Sequence, residues 1–86
     1  MPQRPDPLHP PLCELLGCHV PILQAGMGGP ARSELAAAVC EAGGFGMLGM
    51  VRESPELIAR EVDALRSRTE RPFAVNLIPA ATDPDL

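Results

Sequence analysis

Three short apolar runs alternate with two amphipathic helix patterns along this chain of 86 residues. The apolar runs cover residues 20–24, 45–50 and 73–78, and the helix patterns cover residues 33–42 and 54–68. A strand–helix–strand–helix–strand order requires a parallel sheet, because parallel neighbours need a crossover connection, and such crossovers are right-handed. The sequence therefore predicts an α/β fold built from a parallel βαβαβ segment.

Both helix patterns carry start signals. Ser33 and Ser54 are the predicted N-caps, because a serine side chain accepts a hydrogen bond from a free amide of the first turn. Pro55 strengthens the second start, since its fixed φ suits the first helical position. Helical spacing assigns an inner, core-facing stripe to each helix. The first stripe is Leu35, Ala38, Val39 and Ala42, and the second is Ile58, Val62 and Leu65.

The N-terminal residues differ from the rest in composition. Residues 1–11 are rich in proline and are predicted to form an arm that is neither helix nor central strand. A short helix is expected over residues 12–17, where Gly17 takes the usual C-terminal glycine position. An open three-stranded sheet leaves its edges unpaired, so the chain is expected either to be a fragment of a larger fold or to self-associate through those edges.

Composition excludes several classes of function. The net charge of -4 and the scattered arginines argue against nucleic acid as a partner. No apolar run reaches the roughly 20 residues of a membrane span, and the N-terminus lacks a signal core, so a cytoplasmic protein is expected. The cysteines have neither metal-site nor disulfide-framework spacing, so no metal is predicted and buried free thiols are expected. They are Cys13, Cys18 and Cys40.

Two features suggest a ligand site. A glycine-rich turn at residues 25–29 follows the first apolar run, where the carboxyl end of a parallel strand faces the crevice that holds ligands in α/β proteins. Asn76 lies inside the third apolar run, where an unpaired amide costs about 1–3 kcal/mol. Neighbouring backbone or the edge of a flavin or nucleobase ring would satisfy it equally well. Gln24 is similar, but a structural role toward the loop is expected for it.

Two glycine patterns resemble dinucleotide-binding motifs. Residues 44–49, GFGMLG, match GxGxxG but lie in a strand after a helix, so these glycines are interpreted as packing positions. Residues 26–31, GMGGPA, match the looser GxGxxA in the correct strand-to-helix context, with Glu53 as a candidate ribose partner. A dinucleotide-binding half-domain is therefore an open alternative. It predicts NAD binding that survives substitution of Gly44 but not of Gly28.

The order of three segments identifies a family. CELLGCHVPILQAGMGG, SELAAAVCEAGGFGMLG and SPELIAREVDALRSRTERPFAVNLIP together resemble the N-terminal part of the nitronate monooxygenases, formerly called 2-nitropropane dioxygenases, over residues 12–79. The resemblance implies an FMN-binding TIM (β/α)8 barrel, of which residues 12–86 would be the N-terminal part and the three predicted strands the first three. It also implies that an alkyl nitronate is oxidised with molecular oxygen. A fragment of this length is expected to be inactive alone.

The resemblance also implies site residues. The flavin would contact the backbone of the glycine-rich turn and the side-chain amide of an asparagine. These cofactor-binding positions are Ala25, Gly26, Met27, Gly28 and Asn76. No catalytic residue is assigned, because the family's catalytic histidine would lie beyond residue 86 and neither His9 nor His19 matches it.

One departure from the family keeps alternatives open. The family commonly has proline at the position of Gly26, whereas related flavin-dependent enoyl reductases of the same barrel type carry glycine there. Such a reductase is one alternative function. A noncatalytic, truncated interaction module that pairs its sheet edges with a partner is another.

Overall fold

A computed structural model describes residues 8–78 of the chain. Its elements, in chain order, are α1 Pro11–Leu16, α2 Ser33–Glu41, β1 Gly46–Gly49, α3 Pro55–Arg68 and β2 Phe73–Asn76. The two strands are parallel neighbours, with Gly46 opposite Phe73 and Gly49 opposite Asn76. Helix α3 is the crossover between them. The predicted α/β class with parallel strands is confirmed.

The strand predicted at residues 20–24 is reduced to one parallel bridge between Leu23 and Phe45. The peptide groups on either side of Leu23 exchange hydrogen bonds with Phe45, at N···O distances of 2.9 and 3.0 Å. The run therefore lies beside β1 as a third strand would, but regular pairing stops there. One reason is the N–H of Ile22, which faces β1 but bonds to the carbonyl of Val20 at 2.8 Å. A second is the side chain of Gln24, which is described below.

The other two predicted strands are confirmed, with shorter ends. The apolar runs at residues 45–50 and 73–78 become β1 and β2, and both elements stop before their runs end. The N–H of Met50 still donates to the carbonyl of Asn76 at 3.2 Å. The carboxyl ends of the strands, with Asn76 among them, therefore form one edge.

Helix α2 turns a different face to the core from the predicted one. Ser33 is its first residue rather than its N-cap, and Arg32 at the cap position makes no side-chain capping bond. The buried residues are Ser33, Ala36, Ala37 and Cys40. Of the predicted stripe, Val39 is half-buried, and Leu35, Ala38 and Ala42 are exposed. Both stripes have helical spacing, and the one with smaller side chains faces the sheet because it lets the helix approach closely.

The core lies between β1 and the two longer helices. Its buried members are Ala36, Ala37, Leu48, Met50 and Leu65, and partly buried Leu57, Ile58, Val62 and Phe73 pack against them. The inner stripe predicted for α3 is therefore confirmed. The three cysteines are buried, as expected.

The N-cap predicted for α3 is present, since the Ser54 hydroxyl accepts a hydrogen bond from the Leu57 N–H at 3.1 Å. Ser54→Ala removes this acceptor and is expected to lower the free energy of unfolding by about 0.5–2 kcal/mol. Ser54→Asp keeps an acceptor at the same place and serves as the control. Urea unfolding followed by circular dichroism measures both, and an equal loss in the two variants would contradict the capping role.

Helix α1 begins one residue earlier than predicted. Pro11, assigned to the arm, is its first residue, because the first helical position needs no N–H donor. The prediction that residues 1–11 contain no helix is wrong at this position, and residues 1–7 lie outside the described residues. Gly17 ends the helix with a φ of 73°, as predicted for a C-terminal glycine.

The uncovered side of the residue 20–24 run is apolar. Ile22 and Leu23 are exposed, and a cavity of about 200 Å³ is lined by Val20, Ile22, Val39, Ala42 and Gly44. Self-association through the sheet edges stays a prediction.

Helix length bears on the membrane question. The longest of the described helices, α3, has 14 residues, against the roughly 20 that span a bilayer. Within residues 8–78, no helix has the length and apolar character of a membrane span. The cytoplasmic location stays a prediction.

Candidate functional site

The glycine-rich turn and Asn76 meet at the carboxyl edge of the sheet. A Cβ atom added to Gly26 would lie 2.7 Å from Cγ and 2.9 Å from Oδ1 of Asn76. These distances are shorter than any Cβ tolerates, so the Gly26 main chain lies directly against the Asn76 side chain. The structure thus brings together two predicted site residues that are separated in the sequence by two helices.

Met27 is held over the end of β1. A Cβ atom on Gly49 would lie 2.6 Å from the carbonyl carbon and 2.9 Å from the nitrogen of Met27, so the turn crosses closely over this glycine. Ala31 connects the two, because its N–H donates to the Met27 carbonyl at 3.0 Å and its carbonyl accepts from the Gly49 N–H at 2.8 Å. The main chain of the turn is therefore fixed to β1, while the Met27 side chain is exposed.

The two ends of the predicted turn differ in their surroundings. The Ala25 carbonyl accepts a hydrogen bond from the Met27 N–H at 3.1 Å, which closes a tight reversal around Gly26. A Cβ on Gly28 would meet nothing within 4 Å among the described residues, so Gly28 stands apart from the Gly26–Asn76 contact. Its neighbour Gly29 has a φ of 88°, a conformation that favours glycine.

Gln24 has a defined structural role that the sequence did not specify. Its Nε2 donates to the Met47 carbonyl at 2.8 Å, and its Oε1 accepts from the Met47 N–H at 3.2 Å. The expectation that this side chain faces the loop is wrong, because both of its polar atoms bond to the main chain of β1. The signal in the sequence is a polar side chain at the end of an apolar run.

Several polar groups at this edge are free to bind a ligand. In the described part of the chain, the Asn76 side-chain amide and the N–H groups of Ala25, Gly26 and Gly28 have no hydrogen-bond partner. Neither Oδ1 nor Nδ2 of Asn76 is sealed from solvent. One carboxamide and several backbone donors beside a glycine suit the edge of a flat heterocycle that carries both donors and acceptors, as a flavin does.

The groups needed by the dinucleotide alternative are engaged elsewhere. Glu53, its candidate ribose partner, forms an ion pair with Arg32 at 3.0 Å. The N–H of Ser33 at the start of α2 lies 3.4 Å from the Glu61 carboxylate, so an acidic group already occupies the place of a phosphate. The GFGMLG motif packs α2 against the sheet, since a Cβ on Gly46 would lie 2.8 Å from Cys40 Sγ. These contacts do not support dinucleotide binding.

A larger cavity lies away from this edge. It has a volume of about 440 Å³ and is lined by Glu41 and residues 66–71. These residues precede β2, whereas Asn76 ends it, so the cavity and the glycine-rich turn lie toward opposite ends of that strand.

Solved structures share this fold. The chain matches FabK from Thermotoga maritima with a TM-score of 0.77 and 38% identity, over 83% of this chain and 24% of that one. A mutant of the same protein gives a TM-score of 0.79 at 38% identity, over 86% of this chain and 24% of that one. The likeness confirms the predicted fold, the N-terminal α/β part of a TIM (β/α)8 barrel.

Curated relatives cover most of this chain. A nitronate monooxygenase of Paraburkholderia phytofirmans is 40% identical over 75 residues, which are 84% of this chain and 20% of the relative. A protein of Mycobacterium tuberculosis, named (3aS,4S,5R,7aS)-5-hydroxy-7a-methyl-1-oxo-octahydro-1H-indene-4-carboxyl-CoA dehydrogenase, is 36% identical over 76 residues, or 88% and 21% of the two chains. This chain therefore spans about a fifth of the length of these relatives.

The family match extends over almost all of the described residues. The nitronate monooxygenase family model matches residues 9–85, which include the glycine-rich turn, the Gly46 packing position and Asn76. The matched segments are those that build the carboxyl edge described above. On this basis the chain belongs to the nitronate monooxygenase family of flavin-dependent oxidoreductases.

Proposed function

We propose that this chain forms one wall of an FMN site in an enzyme that oxidises alkyl nitronates with molecular oxygen. The observation that supports the proposal most is the contact between Gly26 and Asn76. It places a turn with free backbone donors beside a carboxamide that has no other partner among residues 8–78. Bound FMN would supply the redox chemistry, and the residues of this chain would bind and orient it.

Asn76 and the groups of the glycine-rich turn have separate roles in this proposal. The Asn76 carboxamide offers one donor and one acceptor to the edge of the ring. The N–H groups of Gly26 and Gly28 donate to ring oxygens or nitrogens, and the missing side chain at Gly26 lets the ring approach the backbone. The exposed Met27 thioether can lie against the ring face, because its sulfur is polarizable. None of these groups is assigned a catalytic role.

Gly26→Ala tests the contact between Gly26 and Asn76, on which the proposal depends. The added methyl would displace the Asn76 amide, and FMN is expected to bind about tenfold more weakly or worse, which corresponds to the loss of one or two hydrogen bonds. Gly28→Ala is the matched comparison, because its methyl enters open space and its N–H remains in place. A smaller loss is expected for it. Titration with FMN, followed by flavin fluorescence, gives both affinities.

The same titration can contradict the proposal in two ways. If the unmodified chain does not bind FMN, the site is not a usable flavin wall. If both variants bind as tightly as the unmodified chain, the Gly26–Asn76 contact is not part of the site. Thermal unfolding of each variant separates a local change from a loss of folding.

A flavin-dependent enoyl reductase of the same barrel type is the second candidate. The observation that favours it is Gly26 itself, since the proline common in nitronate monooxygenases carries a Cβ, and a Cβ here would lie 2.7 Å from Asn76 Cγ. The local geometry thus suits glycine better than the family's common residue. Because this chain spans about a fifth of its relatives' length, assays with alkyl nitronates and with enoyl thioesters distinguish the two functions in a protein that supplies the rest of the barrel.

A further inference from the structure

Gln24 takes over hydrogen bonds that a continuing strand would make. In the parallel pairing beside β1, the Phe45 N–H donates to the carbonyl of Ile22 and the Phe45 carbonyl accepts from the N–H of Gln24. In a regular parallel ladder the next such residue is Met47, which would pair with the carbonyl of Gln24 and the N–H of Gly26. The structure shows instead that both peptide groups of Met47 bond to the side chain of Gln24.

The substitution of a side chain for a strand has a consequence for the turn. A carboxamide presents a donor and an acceptor side by side, so it can satisfy Met47 as fully as a neighbouring backbone would. The Gly26 N–H is thereby released from the sheet, and it has no partner among residues 8–78. With no ladder to hold it, the chain reverses around Gly26 and brings this residue against Asn76.

We propose that Gln24 is the positioning residue of the flavin wall. Its side chain completes the edge of β1 so that the Gly26 N–H can serve the ligand instead of the sheet. The identity of the ligand in this inference rests on the proposed function. The replacement of backbone partners of Met47 by the Gln24 side chain is seen in the structure itself. It assigns to Gln24 a role in ligand affinity although its side chain is occupied by Met47.

Gln24→Met tests this role, because methionine has a similar length but cannot make the two hydrogen bonds. Amide hydrogen exchange, measured by NMR on the unliganded chain, is expected to show about tenfold or greater loss of protection at the Met47 N–H. Protection of the Phe45 N–H, which is bonded to Ile22, is expected to persist and serves as the internal control. FMN affinity is expected to fall about tenfold in the same variant.

Gln24→Glu provides a second signature. Its carboxylate opposes the Met47 carbonyl at neutral pH, whereas the protonated acid again offers a donor and an acceptor. FMN affinity relative to that of Gln24→Met is therefore expected to recover as the pH is lowered. A purely structural loss of the side chain would not produce this recovery.

The outcomes separate the inference from the proposed function. Unchanged Met47 protection in Gln24→Met, or lost protection with unchanged FMN affinity, overturns the positioning role. A third outcome is that the unmodified chain does not bind FMN, although the Met47 amide loses protection in Gln24→Met as expected. In that case both the proposed function and the role of Gln24 in flavin binding are wrong. The amide hydrogen exchange would still establish that the Gln24 side chain accepts the hydrogen bond of the Met47 N–H.

Discussion

Replacing Leu65 by alanine is expected to lower the free energy of unfolding by about 2–5 kcal/mol. Leu65 is 0% exposed and lies in the core cluster with Leu48 and Met50. The truncation removes buried apolar contacts and leaves a cavity that the surrounding helices and strand fill only in part. Native domains are stable by only about 5–15 kcal/mol, so the expected loss is a large share of the total free energy of unfolding.

Leu15→Ala is the matched control for this prediction. The same atoms are removed, but the Leu15 side chain is 81% exposed on α1. Its loss is expected to change the free energy of unfolding by less than about 0.5 kcal/mol. Urea titration followed by circular dichroism measures both variants, and losses of similar size would show that Leu65 is not the centre of the core.

Gly46→Ala is expected to lower the free energy of unfolding by about 1–3 kcal/mol. The new methyl would lie 2.8 Å from Cys40 Sγ and also against the carbonyl oxygen of Ala36, a backbone atom of α2. A rotamer change can relieve the sulfur contact, but only a movement of the helix can relieve the backbone contact. The variant therefore reports on how closely α2 is seated on β1.

Two comparison variants sharpen that result. Gly28→Ala adds the same methyl in open space and is expected to change stability by less than about 0.5 kcal/mol. Gly46→Ala combined with Cys40→Ala relieves the sulfur contact and is expected to recover part of the loss, as a coupled pair does. If Gly46→Ala is as stable as the unmodified chain, α2 does not lie as close to β1 as the structure shows.

Local signals predicted α3 and the two paired strands well. Ser54 and Pro55 mark the start of α3 through interactions within a single turn, so they can be recognised without knowing the rest of the fold. The uninterrupted apolar runs of β1 and β2 are typical of strands in parallel sheets. Their ends were less predictable, because they depend on where the partner strand stops.

The inner face of α2 could not be predicted from spacing. Leu35 and Ala36 each belong to an apolar stripe of helical period, and only the sheet decides between them. Because Gly46 leaves room for a close approach, small side chains such as those of Ala36 and Cys40 fit there, and Leu35 does not. The regular strand predicted at residues 20–24 is wrong for a similar reason, because the side chain of Gln24 makes the hydrogen bonds to Met47 that the backbone of a continuing strand would make.

The candidate site was predictable in its location but not in its contacts. The resemblance to the family implied that one flavin contacts both the glycine-rich turn and Asn76, which places both at the carboxyl ends of strands in a barrel. The direct contact of Gly26 with Asn76 depends on distances below the scale of a side chain. The separation of Gly28 from that contact could not be read from the sequence either.

The tight fit between Gly26 and Asn76 ties the evolution of one position to that of the other. A lineage that acquires alanine or proline at residue 26 must also move the main chain of the turn away from β2, because the added carbon would overlap the Asn76 Cβ, which side-chain rotation does not move. Libraries that randomise both codons should consequently keep glycine at residue 26 in most variants that carry a side chain at residue 76 and retain the present spacing of turn and strand. The residue tolerated at one position would then depend on the residue at the other, although the two lie far apart in the sequence.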